Sequence, residues 1–255
     1  MEIKKINIIG FGNVGQNLFF HLNQRIEIVN VYNRSKTKMI TELLNDKLVI
    51  DLESLSKNVD LNIISSTDSS IELIIQRLPK YIPIVHTSGS VSIDTLKGFK
   101  TCGVFYPLQT FSKDKIKGME TVPFLLETNS KIFFERLKNF VSLNFSNNIH
   151  QYSSDQREQI HLAAVFINNF TTLMARESKS ILKKSNIDSS ILKPLFIETV
   201  NKIIDSKSID NIQTGPAQRE DMDVIYKHIN GIGDPNQKEI YKTLTNRIIE
   251  LKSTS

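Results

Sequence analysis

Hydrophobic residues follow two rhythms along this chain. Up to about residue 150, short apolar runs alternate with segments of helical period; after Ser154 only the helical period continues. The runs Ile3–Ile9, Ile26–Tyr32, Leu48–Ile50, Leu61–Ser65, Ile82–His86 and Thr101–Tyr106 have strand length and are rich in β-branched residues. Between them Val14–Arg25, Ser35–Leu44 and Ser69–Leu78 read as helices, with Ser35 as an N-cap and Pro79 as a stop. Such alternation predicts an α/β fold with a doubly wound parallel sheet. A further β-α-β stretch, Thr121–Leu126, Lys131–Leu143 and Ile149–Tyr152, extends that sheet.

Beyond Ser154, the segments Asp155–Lys184, Ile191–Ser206, Arg219–Asn230 and Pro235–Leu251 read as helices separated by polar, Gly- and Pro-containing breaks. From Ile160 to Met174 the first is apolar nearly all round. Such a helix is expected to be buried on every side, by tight central packing or by a partner chain. The predicted organisation is a nucleotide domain over residues 1–152 and an all-helical domain over 153–255 that carries substrate binding and homodimerisation.

The first strand runs into Gly10-Phe11-Gly12-Asn13-Val14-Gly15. This G-x-G-x-x-G, with strand before and helix after, is the dinucleotide fingerprint of a Rossmann unit. Gly10 allows the turn, Gly12 leaves room for a pyrophosphate and Gly15 lets helix meet strand, while Asn13 and Val14 open the phosphate-facing helix. An NAD-preferring unit places Asp or Glu at the end of its second strand. Here that place holds Asn33-Arg34-Ser35-Lys36. Without a carboxylate to repel a 2′-phosphate, Arg34 can grip it and Ser35 can donate to it, which points to NADP (NADPH). The plain alternative is an exposed, charged helix start.

Other candidates lie at the carboxyl ends of later strands, where ligands of such sheets sit. Ser66, Thr67 and Ser88 are placed for cofactor contact, although turns favour the same residues. In the helical half, His161, Asn168 and Thr172 are spaced by seven and four residues, which puts them on one stripe of a regular α-helix. Buried polar groups there need partners, which a substrate, a neighbouring helix or a dimer mate could supply. The turn Thr214-Gly215-Pro216, with Arg219 and Asp221 after it, can bind an anion; pairing or helix capping fits those two charges equally well.

Composition narrows the class. The net charge of +5 is spread as scattered lysines without a basic block, which argues against nucleic acid. A single cysteine, Cys102, excludes an internal disulfide framework and a cysteine-based zinc site, and no metal is expected. No apolar run approaches the roughly 20 residues needed to cross a bilayer. The chain begins directly on a strand without a charged leader, so a cytoplasmic protein is expected.

Several of these segments together resemble one bacterial family. They are Gly10–Gly15, His86-Thr87-Ser88-Gly89-Ser90, Tyr106-Pro107-Leu108-Gln109-Thr110-Phe111, His161-Leu162-Ala163-Ala164 with Asn168-Asn169, and Thr214-Gly215-Pro216. The chain resembles Rossmann-like proteins whose helical C-terminal half is a domain of unknown function, relatives of pyrroline-5-carboxylate reductase, deazaflavin-dependent NADP reductases and the 6-phosphogluconate dehydrogenase superfamily. The resemblance implies an NADP-binding oxidoreductase, dimeric through its helices, with His161 and Asn168 in the site. Two positions depart from the pattern: Tyr106 stands where the family often has His, and Glu220 where Arg-Gly-Asp is usual. The expected reaction moves hydride between NADPH and a small carbonyl or imine. His161 handles the proton or orients the substrate, Asn168 holds it, and Thr214 with Arg219 anchors a carboxylate. The competing expectation is an NADP-binding sensor or interaction protein without chemistry.

Overall fold

The computed structural model describes residues 2–112, 118–209 and 212–253. The chain divides into two compact units, 1–168 and 169–255.

The first unit holds strands β1 (Lys5–Ile9), β2 (Glu27–Tyr32), β3 (Leu48–Val49), β4 (Leu61–Ile64), β5 (Ile84–His86), β6 (Cys102–Pro107), β7 (Phe124–Thr128) and β8 (Ile149–Gln151) in one sheet, ordered β3-β2-β1-β4-β5-β6-β7-β8. Strands β1 to β6 run parallel; β7 is antiparallel to β6, and β8 follows β7. The sheet is therefore mostly parallel, with its last two strands reversed. The chain order switches direction between β1 and β4, which opens the crevice where such sheets take their ligands.

Residue alternation along β1 explains the two-sided core. Ile6 and Ile8 pack on one face with Leu18, Phe105, Leu137 and Phe140. Ile9 joins Ile64, Ile71, Ile74, Ile84 and Leu96 on the other. Asn7 is fully buried beside Asn62, and its Nδ2 donates to Asn62 Oδ1 and to the Ser56 carbonyl, both at 2.9 Å. A one-residue slip would turn these amides into the opposite face. They therefore help to fix register.

Helices α1 (Asn13–Leu22), α2 (Lys38–Leu44), α3 (Asp68–Gln76) and α4 (Lys131–Asn144) flank the strands. Ser35 does not cap α2. Asn33 Nδ2 donates to the Ser35 carbonyl at 2.7 Å and holds the loop, and the helix begins after Thr37, whose hydroxyl accepts from Ile40 N at 3.3 Å. Helix α5 (Ser154–Ala164) starts with a capping box between Ser153 and Gln156. A π-helical segment, Val165–Phe170, follows it. The apolar stretch from Ile160 is not buried all round as expected: Leu162, Phe166 and Ile167 are 51%, 62% and 76% exposed.

The second unit contains α6 (Thr171–Lys183), α7 (Lys193–Asp205), α8 (Pro216–Arg219), α9 (Met222–Gly231) and α10 (Pro235–Ser253). Its buried residues are few: Ala217, Ile225, Gln237 and Thr245 among those described. Neither α6 nor α7 buries a residue, although α7 carries Leu195, Phe196, Ile203 and Ile204. Asp221 caps α9 by accepting from Val224 N at 3.2 Å, so the capping alternative for this residue is realised. Glu220 has φ +54° and ψ +37°, the left-handed region in which glycine is at ease. The departure from Arg-Gly-Asp thus places a side chain on a backbone that glycine suits best.

Candidate functional site

The glycine loop lines a cavity of about 580 Å³ beside the switch point. Gly10 has φ +106°, and a Cβ there would meet the Ser65 carbonyl and Ser66 N at 2.8 Å. At Gly15 a Cβ would lie 2.1 Å from the Gly10 carbonyl oxygen, so α1 can approach the loop only without one. At Gly12, by contrast, nothing lies within 4 Å. Gly12 is also the N-cap of α1 and offers no side chain to its first-turn amides. The loop thus presents unblocked N–H groups at the positive end of a helix dipole, toward open space.

The opposite walls come from later strands. Asn33, Arg34 and Ser35 line the cavity after β2, and Ser66 and Thr67 after β4. Arg34 is exposed and makes no ion pair among the described residues. The Asn33 side chain accepts from Phe11 N at 3.4 Å, joining the β2 end to the glycine loop. The Ser66 hydroxyl is buried without a hydrogen-bond partner in the protein. Leu52, Leu73 and Ile74 add an apolar wall suited to a flat ring, and Arg77 closes that end while bonded to Glu53 and Asp51. The Arg77 guanidinium, first of all, holds the Glu53 carboxyl at about 2. Asn13 Nδ2 donates to the Phe111 carbonyl at 3.0 Å and Asn17 Nδ2 to that of Ser112 at 3.2 Å, tying the segment after β6 to the start of α1. A cradle open where a Cβ would stand, free amides and an orphaned hydroxyl together fit a dinucleotide.

A second constellation lies at the ends of β5 and β6. The Tyr106 hydroxyl is 3.0 Å from His161 Nδ1, and the rings meet edge to face, 5.9 Å apart at 74°. Both rings press on Gly89. A Cβ at that position would fall 2.6 Å from His161 Nδ1 and 2.9 Å from Tyr106 Cζ. Burial raises the Tyr106 pKa, Asp68 acts in the same direction, and Arg157 opposes them. The phenol therefore keeps its proton.

Arg157 explains why His161 sits there. It is 1% exposed and carries one of the largest fully buried side chains described. Its NH1 donates to Glu127 Oε2 at 2.5 Å, and its NH2 to the Val91 carbonyl and, at 3.3 Å, to Ser154 Oγ. Glu127 also accepts from Ser154 N and Oγ, at 3.0 and 2.8 Å. Residues four apart share a helix face, so this anchor fixes the face of α5 that bears His161.

His86 is fully buried nearby and accepts from Ser88 N at 3.2 Å through Nδ1. Desolvation, then the Arg157 charge, brings its pKa down from 6.5 to about 4; the Ser92 backbone and Asp68 act weakly the other way. Its Nε2 is buried without a hydrogen-bond partner in the protein. Above pH 6.5 the ring is neutral folded or unfolded. Between 6.5 and about 4 only the unfolded chain takes the proton. Stability is accordingly expected to fall across that window by roughly 3 kcal/mol. Urea unfolding at pH 7.5 and pH 4.5 measures this. His86→Gln should flatten the slope, and an unchanged slope would remove His86 as its source.

The structure thus brings Gly10, Gly12, Asn13, Val14, Asn33, Arg34, Ser35, Ser66 and Thr67 around one cavity, with Gly15 packed behind it. Ser88 is not on that lining; its Oγ shapes a turn by accepting from Ser90 N and Val91 N, while its N–H holds His86. Asn168 is exposed within the π-helical segment. That segment's wider i→i+5 turn breaks the constant angle on which the stripe through His161, Asn168 and Thr172 depended. Thr172, Thr214 and Arg219 are exposed residues of the second unit. Sequence reasoning missed Tyr106 as a partner of His161, the space at Gly89 and the anchor Arg157. The signal for the last was a lone arginine one turn before the histidine.

A Rossmann-type sheet with a glycine-loop groove, continued by a helical unit, defines a dinucleotide-fold protein. The model of a domain of unknown function, DUF2520, matches residues 122–248, taking in β7 and β8 as well as the helices. A crystal structure from Bacteroides fragilis, described as a "putative NADP oxidoreductase", is 33% identical over 97% of this chain and 98% of that one, with a TM-score of 0.89. The chain belongs to the family of that protein. The fold is also that of a pyrroline-5-carboxylate reductase from Streptococcus pyogenes, at 17% identity, 98% coverage of both chains and TM-score 0.64. A reductive aminase from Aspergillus terreus, solved with NADPH and ethyl levulinate, shares it at 12% identity, covering 98% of this chain and 94% of that one, with TM-score 0.72. No curated protein matches in sequence. Among the described residues no helix is long and apolar enough to cross a membrane.

Proposed function

We propose that this chain is an NADP-dependent oxidoreductase transferring hydride between NADPH and a small carbonyl or imine metabolite. The observation that carries the reading is the groove: a glycine cradle with open amides, bordered by Arg34 and Ser35 with no carboxylate after β2, and followed along the sheet edge by Tyr106 and His161. The amides after Gly12 would hold the pyrophosphate, Arg34 and Ser35 the 2′-phosphate, and Leu52, Leu73 and Ile74 the adenine, with Ser66 and Thr67 along the sugar. When bound, the nicotinamide supplies the hydride. His161 handles the proton or orients the substrate. Asn168 and Thr172 hold it by hydrogen bonds, and Thr214 with Arg219 anchors a carboxylate. Solved structures of this fold include pyrroline-5-carboxylate and imine reductases, some with NADP bound, and a reductive aminase with NADPH. That supports the reaction class.

The partner we propose is a second copy of the chain. No residue of α6 or α7 is fully buried within the single chain, and exposed apolar surfaces of that kind mark interfaces. A cytoplasmic location fits a reductase that draws on NADPH.

Wild-type protein is expected to oxidise NADPH with some member of a panel of small ketones and imines, and NADH much less well. Arg34→Ala removes a charge-assisted contact of about 1.5–3 kcal/mol and should reduce that preference roughly 10- to 100-fold. Steady-state rates with the two cofactors decide it. An undiminished preference in Arg34→Ala would put the 2′-phosphate elsewhere.

A further inference from the structure

We propose that Tyr106 is the proton donor of this site and that His161 positions and reprotonates it, which makes the substrate a neutral C=O or C=N compound and not a preformed iminium cation. The inference rests on the reductase reading above. Tyr106 lies at the carboxyl end of β6, the side of the sheet on which ligands of this fold bind. The only hydrogen bond described for its hydroxyl is the one to His161 Nδ1. When His161 donates through that nitrogen, the phenolic hydrogen is free to turn toward a substrate.

The neighbouring groups leave the donor's task to Tyr106. Arg157 is held by Glu127 and the Val91 carbonyl and points its donors at them. His86 is neutral at ordinary pH and faces Ser88 N. Asp68 is engaged as an acceptor from Ser90 Oγ at 2.6 Å. Tyr106 retains its proton because burial disfavours the phenolate. His161 is half-buried and can exchange with solvent. Gly89 completes the arrangement, since any side chain there would displace both rings.

The step balances. As the substrate carbon gains a hydride from the reduced nicotinamide, its π pair moves onto oxygen or nitrogen. The Tyr106 O–H bond breaks and its proton joins that atom. The phenolate then recovers a proton from His161 Nδ1 as Nε2 of the same ring takes one from water, so the imidazole passes the proton on without becoming an anion. A substrate that is already an iminium cation accepts hydride without any proton.

The test compares a neutral ketone or imine with an N-alkylated iminium that cannot accept a proton. Tyr106→Phe should lower kcat on the neutral substrate roughly 10²- to 10⁴-fold, the usual contribution of a positioned acid, while the iminium rate and the NADPH Kd stay at wild-type values. His161→Asn should show the same split with a smaller loss, and it displaces the acid limb of the kcat–pH profile. In cofactor-free protein, Tyr106→Phe should shift the His161 ring resonances followed by NMR, since it removes the hydroxyl 3.0 Å from Nδ1. Equal loss on both substrates or an unchanged kcat overturns the donor assignment, and unmoved His161 resonances overturn the pairing on which it rests. A wild-type protein inactive on every neutral and iminium substrate overturns the reductase reading, and the donor with it.

Discussion

Gly12→Ala is expected to fold as stably as wild type and bind NADPH more weakly, whereas Gly15→Ala loses both stability and affinity. At position 12 a Cβ meets nothing within 4 Å, and the backbone, at φ −78° and ψ −162°, suits any residue. Alanine there also restricts the unfolded chain, so stability should hold or rise by up to about 1 kcal/mol. The added methyl nevertheless stands over the amides that would face the pyrophosphate, and the Kd should rise at least tenfold, about 1.4 kcal/mol. At position 15 the Cβ falls 2.1 Å from the Gly10 carbonyl oxygen and 2.7 Å from Ser65 Oγ. Backbone must move, at roughly 1–3 kcal/mol for overpacking of this kind. Urea unfolding and NADPH fluorescence titration separate the two effects. A Gly12→Ala protein that binds NADPH as tightly as wild type would take the phosphates away from this loop.

Arg157→Met should have the largest effect on stability. Removing one member of a buried ion pair typically costs about 3–5 kcal/mol, because the other charge is left uncompensated. Here Glu127 would keep only Ser154 as a partner, and the Val91 carbonyl would lose its donor. The same substitution frees the face of α5 that positions His161, so turnover should fall even where the protein remains folded. Adding Glu127→Leu removes the stranded carboxylate and should restore most of the stability without restoring turnover. Urea midpoints and kcat across this cycle check both halves. Recovery of kcat together with stability would mean that Arg157 acts only on folding.

How much of this was legible in the sequence depends on which physical rule each feature obeys. Strand existence followed from apolar runs, and the six parallel strands were placed to within two residues at their ends. The glycine loop was legible because its spacing answers to local sterics. Strand direction was not. The reversal of β7 is a matter of connection, and its trace was the lack of a helical period between Pro107 and Phe124, where a parallel crossover would need one. Ser35 was misread as a cap because Thr37, two residues on, has the same chemistry and only the Asn33 bond decides between them. The site on α5 was half legible. His161 stood out as a polar residue on an oily helix, but contact with Tyr106, 55 positions earlier, is a product of packing. Beyond Val165 the assumption of a regular α-helix fails, since no residue type in Val165–Phe170 announces a wider turn.

The reversal of β7 and β8 also explains how Tyr106 and His161 meet from such distant parts of the chain. Running backward, β8 finishes with Gln151 level with Leu126, and hence with Phe105 in the body of the sheet, well short of the crevice. Helix α5 must therefore climb toward the ligand side. From Arg157, bonded to the Glu127 that pairs with Val104, four helical residues rise about 6 Å. From Val104 to Tyr106, two strand residues advance about 6.6 Å. Helix and strand thus ascend from a shared rung by nearly equal lengths, and the histidine and the tyrosine arrive at the same height. Inserting or deleting a single residue between 157 and 161 would break that match and leave the rest of the sheet untouched.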